Sequence, residues 1–155
     1  MDGVFGIQGR DCVLVVADRH VSAHGLLRVT DEVDKIRVIQ DKILVTAAGP
    51  QGDVNNFLDY IEKNLILYKF RNGFPPTTEA AANFTRRQLA DYLRRDPHQC
   101  DMLIAGIDKD GPHLYWMDHM SAMCKVSKGA HGYTGYFTNA LMDTHWKADM
   151  SEAEL

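Results

Sequence analysis

The sequence predicts an α+β fold in which two antiparallel sheets pack face to face and a pair of helices covers one outer face. Short β-rich runs joined by tight turns fill about the first fifty residues and return after residue 100. Between these two groups, two segments carry apolar residues at helical spacing. Strands grouped apart from helices indicate an α+β arrangement, because regularly alternating strands and helices would build a parallel sheet.

The N-terminal part predicts four strands in two hairpins. Residues 4–8 and 12–17 are joined across a Gly-Arg-Asp turn, and the second run is apolar throughout, as in a strand buried on both faces. Residues 35–39 and 42–46 form the second hairpin. The polar stretch 18–34 lies between the hairpins and adds no strand to these four.

Two helices are expected next. From Val54 to Tyr68 the apolar residues share one helical face, and the glycine and prolines at 73, 75 and 76 end this helix. The second helix is expected over about 78–95.

Strands return after Asp96-Pro97. Residues 102–107 and 113–117 predict a third hairpin, whose turn carries an Asp-Gly pair. Two short strands are expected near 122–126 and 129–132. A last helix is expected to begin near Tyr136.

The composition excludes several classes of protein. Seventeen Lys and Arg against 21 Asp and Glu give a net charge of −4, which disfavours a dedicated nucleic-acid binder. No apolar run reaches the length of about 18 residues that a membrane span needs, and the first residues lack a signal-peptide pattern. Three cysteines, an odd number, argue against a disulfide framework and indicate a reducing compartment, the cytoplasm or the nucleus.

The potential metal ligands form no recognisable motif. No two of the seven histidines are four residues apart on one of the predicted helices, and His98 and Cys100 are the only close His/Cys pair. The glycines at 49 and 52 lack the lysine and hydroxyl residue of a phosphate loop. We therefore expect neither a metal nor a cofactor. Cys12 and Cys124 lie in apolar strands and are expected in the core.

Four segments resemble the beta subunits of the proteasome, which are N-terminal-nucleophile hydrolases. They are Gly6-Ile7-Gln8-Gly9, Leu67 to Gly73, Ala80 to Asp91 and Ala130-His131-Gly132-Tyr133. The resemblance runs from Met1 to about Met142 and implies a four-layer α-β-β-α sandwich. Compared with that family, the single domain at 1–155 is expected to stop in or near its third helix, with the C-terminal part of the fold missing.

The resemblance also implies a vestigial catalytic site at Asp2, Asp18, Lys35 and Gly49. Active members open with a threonine that attacks the peptide carbonyl, while an aspartate and a lysine tune protonation and a glycine turn supplies the oxyanion donor. Asp18, Lys35 and Gly49 match these three helpers, but Asp2 stands at the nucleophile position, without a Gly-Thr junction. Gly-Tyr-Thr-Gly at 132–135 replaces a serine-containing turn. We expect Asp18 and Lys35 to form a partly buried ion pair; the alternative is that they are exposed charges.

The resemblance therefore implies a non-catalytic structural subunit of the 20S proteasome, in ATP- and ubiquitin-dependent protein degradation. Expected partners are subunits of the same beta ring, the opposing beta ring and the alpha ring, with neither nucleic acid nor a membrane. The segment 20–30 is too apolar for a free loop and is expected to contact the neighbouring chymotrypsin-like subunit. The pocket shared with that neighbour is a candidate inhibitor site. Candidate contact residues are His24, Gly25, Leu26, Leu27, Gln51 and Asp53, the last two facing the opposite ring.

Two other functions stay open on sequence grounds. The chain is an active N-terminal-nucleophile peptidase if another side chain, such as Ser22 or Cys12, serves as the nucleophile. It is a free-standing binding module if the purified chain is monomeric.

Overall fold

All strand pairings are antiparallel in the part of the chain that the structure, a computed structural model, describes: residues 3–23 and 27–155. A three-stranded sheet has the order β10-β1-β2, with β1 at Gly3–Gln8, β2 at Val13–Ala17 and β10 at Lys128–Gly132. A separate pair consists of β3 at Val21–Ala23 and β4 at Leu27–Thr30. A five-stranded sheet has the order β5-β6-β7-β8-β9, with strands at Ile36–Ile39, Ile43–Ala48, Asp101–Asp108, Gly111–Met117 and Met123–Lys125.

The two larger sheets pack face to face through one apolar cluster. Val4 and Val15 of the three-stranded sheet lie against Leu103 and Leu114 of the five-stranded sheet, and all four are buried. Gly6 lets the sheets approach closely, since a Cβ at that position would lie 2.9 Å from a methyl group of Leu114. Each fully buried aliphatic side chain of this kind stabilises the fold by about 1.5–3 kcal/mol. The start of β1 is thereby fixed against the central sheet.

Helices α1 (Gln51–Asn72) and α2 (Thr78–Tyr92) cover the other face of the five-stranded sheet. The apolar face predicted for α1 is buried from Val54 to Leu65. At its end Gly73 adopts φ 79° and donates its N–H to the carbonyl of Lys69, a left-handed cap that glycine accepts without strain. Thr77 caps α2, because its hydroxyl accepts from the N–H of Ala80.

Helix α3 (Gly135–His145) supplies the fourth layer. It packs against β10 and β1 of the three-stranded sheet, and just beyond its end the indole Nε1 of Trp146 donates to the carbonyl of Gln8 at 2.7 Å. The layers follow the order helices, sheet, sheet, helix, which confirms the predicted α+β sandwich. None of the helices within the described ranges has the length and hydrophobicity needed to cross a membrane.

Two expectations about the strands are wrong. The connection at 18–34 contains β3 and β4. None of the four residues of β4 is buried, so this strand has no apolar buried face that would mark it in the sequence. Strand β2 is not buried on both faces: it is an edge strand that pairs only with β1, and Leu14 is exposed. A continuously apolar run records hydrophobicity but not the place of the strand within its sheet.

The cysteines and the second helix also differ from expectation. Cys12 is half-buried and Cys124 is exposed, because the first precedes an edge strand and the second lies on one. Only Cys100 is buried among the three. Helix α2 ends at Tyr92, since residues 93–96 form turns.

Candidate functional site

The start of β1 is held by a buried lysine and a carboxylate. Asp18 directly follows β2; its N–H donates to the carbonyl of Gly3, and its Oδ1 accepts the N–H of Gly3 at 3.0 Å. The Lys35 ammonium lies 2.7 Å from the same Oδ1 and donates to the carbonyl of His20 at 2.8 Å. The Lys35 side chain is 1% exposed, whereas that of Asp18 is 35% exposed. An ammonium is buried at tolerable cost only with such partners. The predicted ion pair is therefore present.

Gly49 forms the turn between β6 and α1, where no other residue fits. Its φ is 153°, and a Cβ there would lie 2.0 Å from the carbonyl oxygen of Gln99. The N–H of Gln99 in turn donates to Oδ2 of Asp53 at 3.1 Å, which ties the first turn of α1 to the segment before β7. Gln51 donates from Nε2 to Oδ1 of Asn55. The bonds of Gln51 and Asp53 lie within the chain, and their expected contact with an opposing ring stays a prediction.

A cavity of about 300 Å³ opens beside the Gly49 turn. A hydrogen-bonded aspartate–histidine pair forms part of its wall: Oδ1 of Asp101 accepts the backbone N–H of His119 at 2.9 Å and lies 2.9 Å from its Nδ1. The other lining residues come from the Gly49 turn and from the end of β10, namely Ala48, Gly49, Pro50, Gln99, Gly132 and Tyr133. The cavity is thus polar on one wall and lies between two segments that the family resemblance assigns to the site.

The segment 132–135 lies at the start of β1, because Gly132 pairs with Gly3 in the sheet register. Its aliphatic hydroxyl belongs to Thr134, whose Oγ1 donates to the carbonyl of His131 at 3.3 Å. The Thr134 side chain also fills the space beside Gly3, where a Cβ would clash with it at 2.2 Å. Thr134 therefore packs against β1 and completes the local backbone hydrogen bonding.

His131 holds this end of β10 against the central sheet. Its ring stacks on Trp116 with 4.8 Å between centroids, and Nε2 lies 3.0 Å from the carbonyl oxygen of Met102. Burial lowers the pKa of His131, so that the ring is neutral at pH 7 and donates its Nε2 proton to that carbonyl. The result is a rigid link between β10 and β7 next to the site.

Neither Cys100 nor Cys12 is suited to act as a nucleophile. Burial, and secondarily the charges of Asp53 and Asp101, raise the pKa of the Cys100 thiol to about 12, so it stays protonated. Cys12 precedes β2 while Asp18 follows it, a separation of roughly 20 Å along an extended strand. Ser22 lies on β3, two residues beyond the His20 carbonyl that Lys35 binds.

The neighbour-contact candidates are only partly visible. The contact candidates His24, Gly25 and Leu26 lie outside the described residues, as does Asp2 of the expected vestigial site. Leu27 on β4 is 71% exposed, and Val29 two residues later is 64% exposed. Because alternate residues of a strand point to one side, these two form one exposed apolar face. Its identity as a subunit contact stays a prediction.

Sequence reasoning missed two groups of side chains that the fold brings together. One is the Asp101–His119 pair at the cavity. The other is Asp108, Asp110 and His113 at the β7–β8 turn, the one cluster of three potential metal ligands within residues 3–23 and 27–155. An Asp-x-Asp-x-x-His spacing across an Asp-Gly hairpin turn is the signal that would have indicated the second group.

The chain has the N-terminal-nucleophile hydrolase fold: two antiparallel sheets lie between helical layers, and an aspartate and a lysine bind the start of the first strand. A family model for the proteasome subunit matches residues 2–155, and the chain belongs to that family. It is 45% identical over 155 residues to proteasome subunit beta type-2-A of Arabidopsis thaliana, covering 99% of this chain and 76% of the relative. It is also 39% identical to proteasome subunit beta type-2 of Dictyostelium discoideum, covering 97% and 78%. The identity to proteasome subunit beta type-4 of Saccharomyces cerevisiae is 35%, covering 99% and 79%.

Proposed function

We propose that this beta-type subunit is a non-catalytic structural member of the 20S proteasome core. The observation that carries the proposal is the identity of Asp2, which stands directly before the first residue of β1, where active members have their threonine. A carboxylate offers neither the hydroxyl oxygen that attacks the peptide carbonyl nor its proton. In this proposal the protein serves ATP- and ubiquitin-dependent degradation through assembly, in the cytoplasm and the nucleus.

The contacts of Asp18 and Lys35 support a structural role. In an active member these groups would tune a nucleophile, whereas here both backbone hydrogen bonds and the ion pair join the start of β1 to β2 and to the His20 segment. The segment 132–135 contributes packing against Gly3 in the same way. The contacts that hold the start of β1 are thus present. In this proposal they stabilise the subunit for assembly and do not serve catalysis.

The exposed apolar face formed by Leu27 and Val29 supports a role in assembly. Exposed aliphatic side chains at alternate positions of a strand favour a protein contact, because the centres of interfaces exclude charge and bury apolar surface. We propose that this face docks on the chymotrypsin-like subunit beside it in the beta ring, with this chain at the fourth ring position. The pocket at that junction is a proposed inhibitor site. Contacts with the opposing beta ring and the alpha ring belong to the same proposal.

Replacing Asp2 by alanine in assembled particles is expected to leave all three peptidase activities unchanged per particle. The matched control replaces the threonine nucleophile of a catalytic beta subunit by alanine in the same particle. That change should reduce one activity by about a thousandfold or more. Loss of any activity on changing Asp2 would show that this chain is catalytic.

An active peptidase using Ser22 is the second candidate function. The observation that favours it is the nearness in sequence of Ser22 to His20, whose carbonyl binds the Lys35 ammonium. Particles with Ser22 replaced by alanine distinguish the two candidates. The structural proposal expects unchanged activities, and the catalytic alternative expects the loss of one.

A further inference from the structure

Three potential metal-ligating side chains converge at the β7–β8 hairpin, away from the Asp18–Lys35 pair and the β4 face described above. Nε2 of His113 lies 3.1 Å from Oδ1 of Asp110 and 3.8 Å from Oδ2 of Asp108. One ligand atom from each of the three residues lies within 4.8 Å of the other two. A single cation placed between them would contact all three.

Two of the three ligands are held in position by the fold. His113 lies on β8 opposite Gly106 of β7, and it is only 6% exposed. Oδ2 of Asp108 accepts the N–H of Thr78, the first residue of α2, at 2.8 Å. Asp110 belongs to the turn itself, with an exposed side chain that is free to adjust. Two fixed ligands and one adaptable ligand suit a metal site, since the fixed groups lower the entropy lost on binding.

Buried polar atoms without partners accompany the cluster. Nδ1 of His113 and Oγ1 of Thr78 are both buried and have no hydrogen-bond partner among the described residues. Thr78 is fully buried, and its Oγ1 occupies the space above Gly106, the cross-strand neighbour of His113, where a Cβ would meet it at 2.3 Å. Such atoms are rare in folded proteins. Nδ1 of His113 faces away from the carboxylates because Nε2 faces them, so the atom that bears on the cluster is Oγ1 of Thr78, whose backbone N–H donates to Asp108.

The cluster is open on one side. Asp108 and Asp110 line a groove of about 910 Å³ that runs between the α1–α2 connection and the β5–β6 turn. An ion has an entry path through this groove, and water can supply the remaining coordination positions.

We propose that Asp108, Asp110 and His113 bind a divalent transition-metal ion of the zinc class, with water completing the coordination shell. One imidazole nitrogen with two carboxylates suits zinc and its neighbours in the first transition row, whereas calcium and magnesium prefer sites made of oxygen alone. Two carboxylates also balance the charge of the ion. The bound ion would tie the β7–β8 turn, through Asp108, to the first residue of α2.

Zinc titration of the purified chain against a chromophoric chelator tests the site. Asp110→Asn is the main variant because Asp110 is an exposed turn residue whose amide leaves the backbone unchanged. His113→Gln removes the nitrogen ligand, and Asp91→Asn is the matched control on the exposed face of α2. Wild type should bind zinc, Asp110→Asn and His113→Gln should weaken that affinity by about tenfold or more, and Asp91→Asn should bind like wild type.

Two results would overturn the proposal. Equal zinc affinity in wild type and Asp110→Asn would mean that the three side chains form a hydrogen-bonded cluster only, even if His113→Gln failed to fold. Displacement of zinc by a large excess of magnesium would contradict the assigned class of metal.

Discussion

Replacing Lys35 by methionine is expected to lower the free energy of unfolding by about 3 kcal/mol. Methionine fills a similar volume but leaves the carboxylate of Asp18 without its cation and the carbonyl of His20 without that donor. This loss is at the lower end of the range of about 3–5 kcal/mol for breaking a buried ion pair, because the Asp18 side chain is 35% exposed and water can partly solvate it.

Urea-induced unfolding of the purified chain, followed by tryptophan fluorescence, measures this loss. The matched control is Lys42→Met, which removes an exposed lysine from the β5–β6 turn and should change stability by less than about 0.5 kcal/mol. Combining Asp18→Asn with Lys35→Met should recover part of the loss, since the unpaired charge is then absent. Equal stabilities of Lys35→Met and Lys42→Met would contradict a structural role for the pair.

Replacing Leu27 by aspartate is expected to reduce incorporation of this chain into particles by about thirtyfold. A charge introduced at the centre of an apolar contact costs about 2 kcal/mol or more, which corresponds to that factor in the association constant. Because Leu27 is 71% exposed in the single chain, the substitution should leave the chain's own stability almost unchanged. The defect should therefore appear only on assembly.

Quantitative mass spectrometry of purified particles measures the incorporation. Leu27→Met keeps an apolar side chain of similar size and should assemble like wild type. The neighbouring subunit's chymotrypsin-like activity per assembled particle gives a second readout of the same contact. Normal incorporation of the aspartate variant would remove the β4 face from the proposed interface.

Much of the fold was predictable from the sequence because its strands and helices are specified locally. The Asp-Gly turn of the β7–β8 hairpin, the apolar face of α1 and the glycine that ends it each follow from short-range rules. Strands β3 and β4 were not predictable in this way. Their exposed leucine and valine alternate with polar residues over too few positions to distinguish a strand from a loop.

The residues of the site could be predicted only where the resemblance to the proteasome beta subunits assigned them. Asp18 and Lys35 are 17 residues apart, and no spacing rule predicts the 2.7 Å between Oδ1 and Nζ. Their pairing was predicted because the two residues match the family's aspartate and lysine. Asp101 and His119 are likewise 18 residues apart and meet only because β7 pairs with β8. The burial of Lys35 and the exposure of Cys124 depend on sheet order, which local hydrophobicity does not encode.

Covalent labelling of native particles tests the central claim most directly. An epoxyketone that reacts with an N-terminal threonine is added in excess, and every beta subunit is then examined by intact-mass and peptide mass spectrometry. The non-catalytic proposal predicts adducts on the catalytic subunits and none on this chain. A stoichiometric adduct on this chain would contradict it.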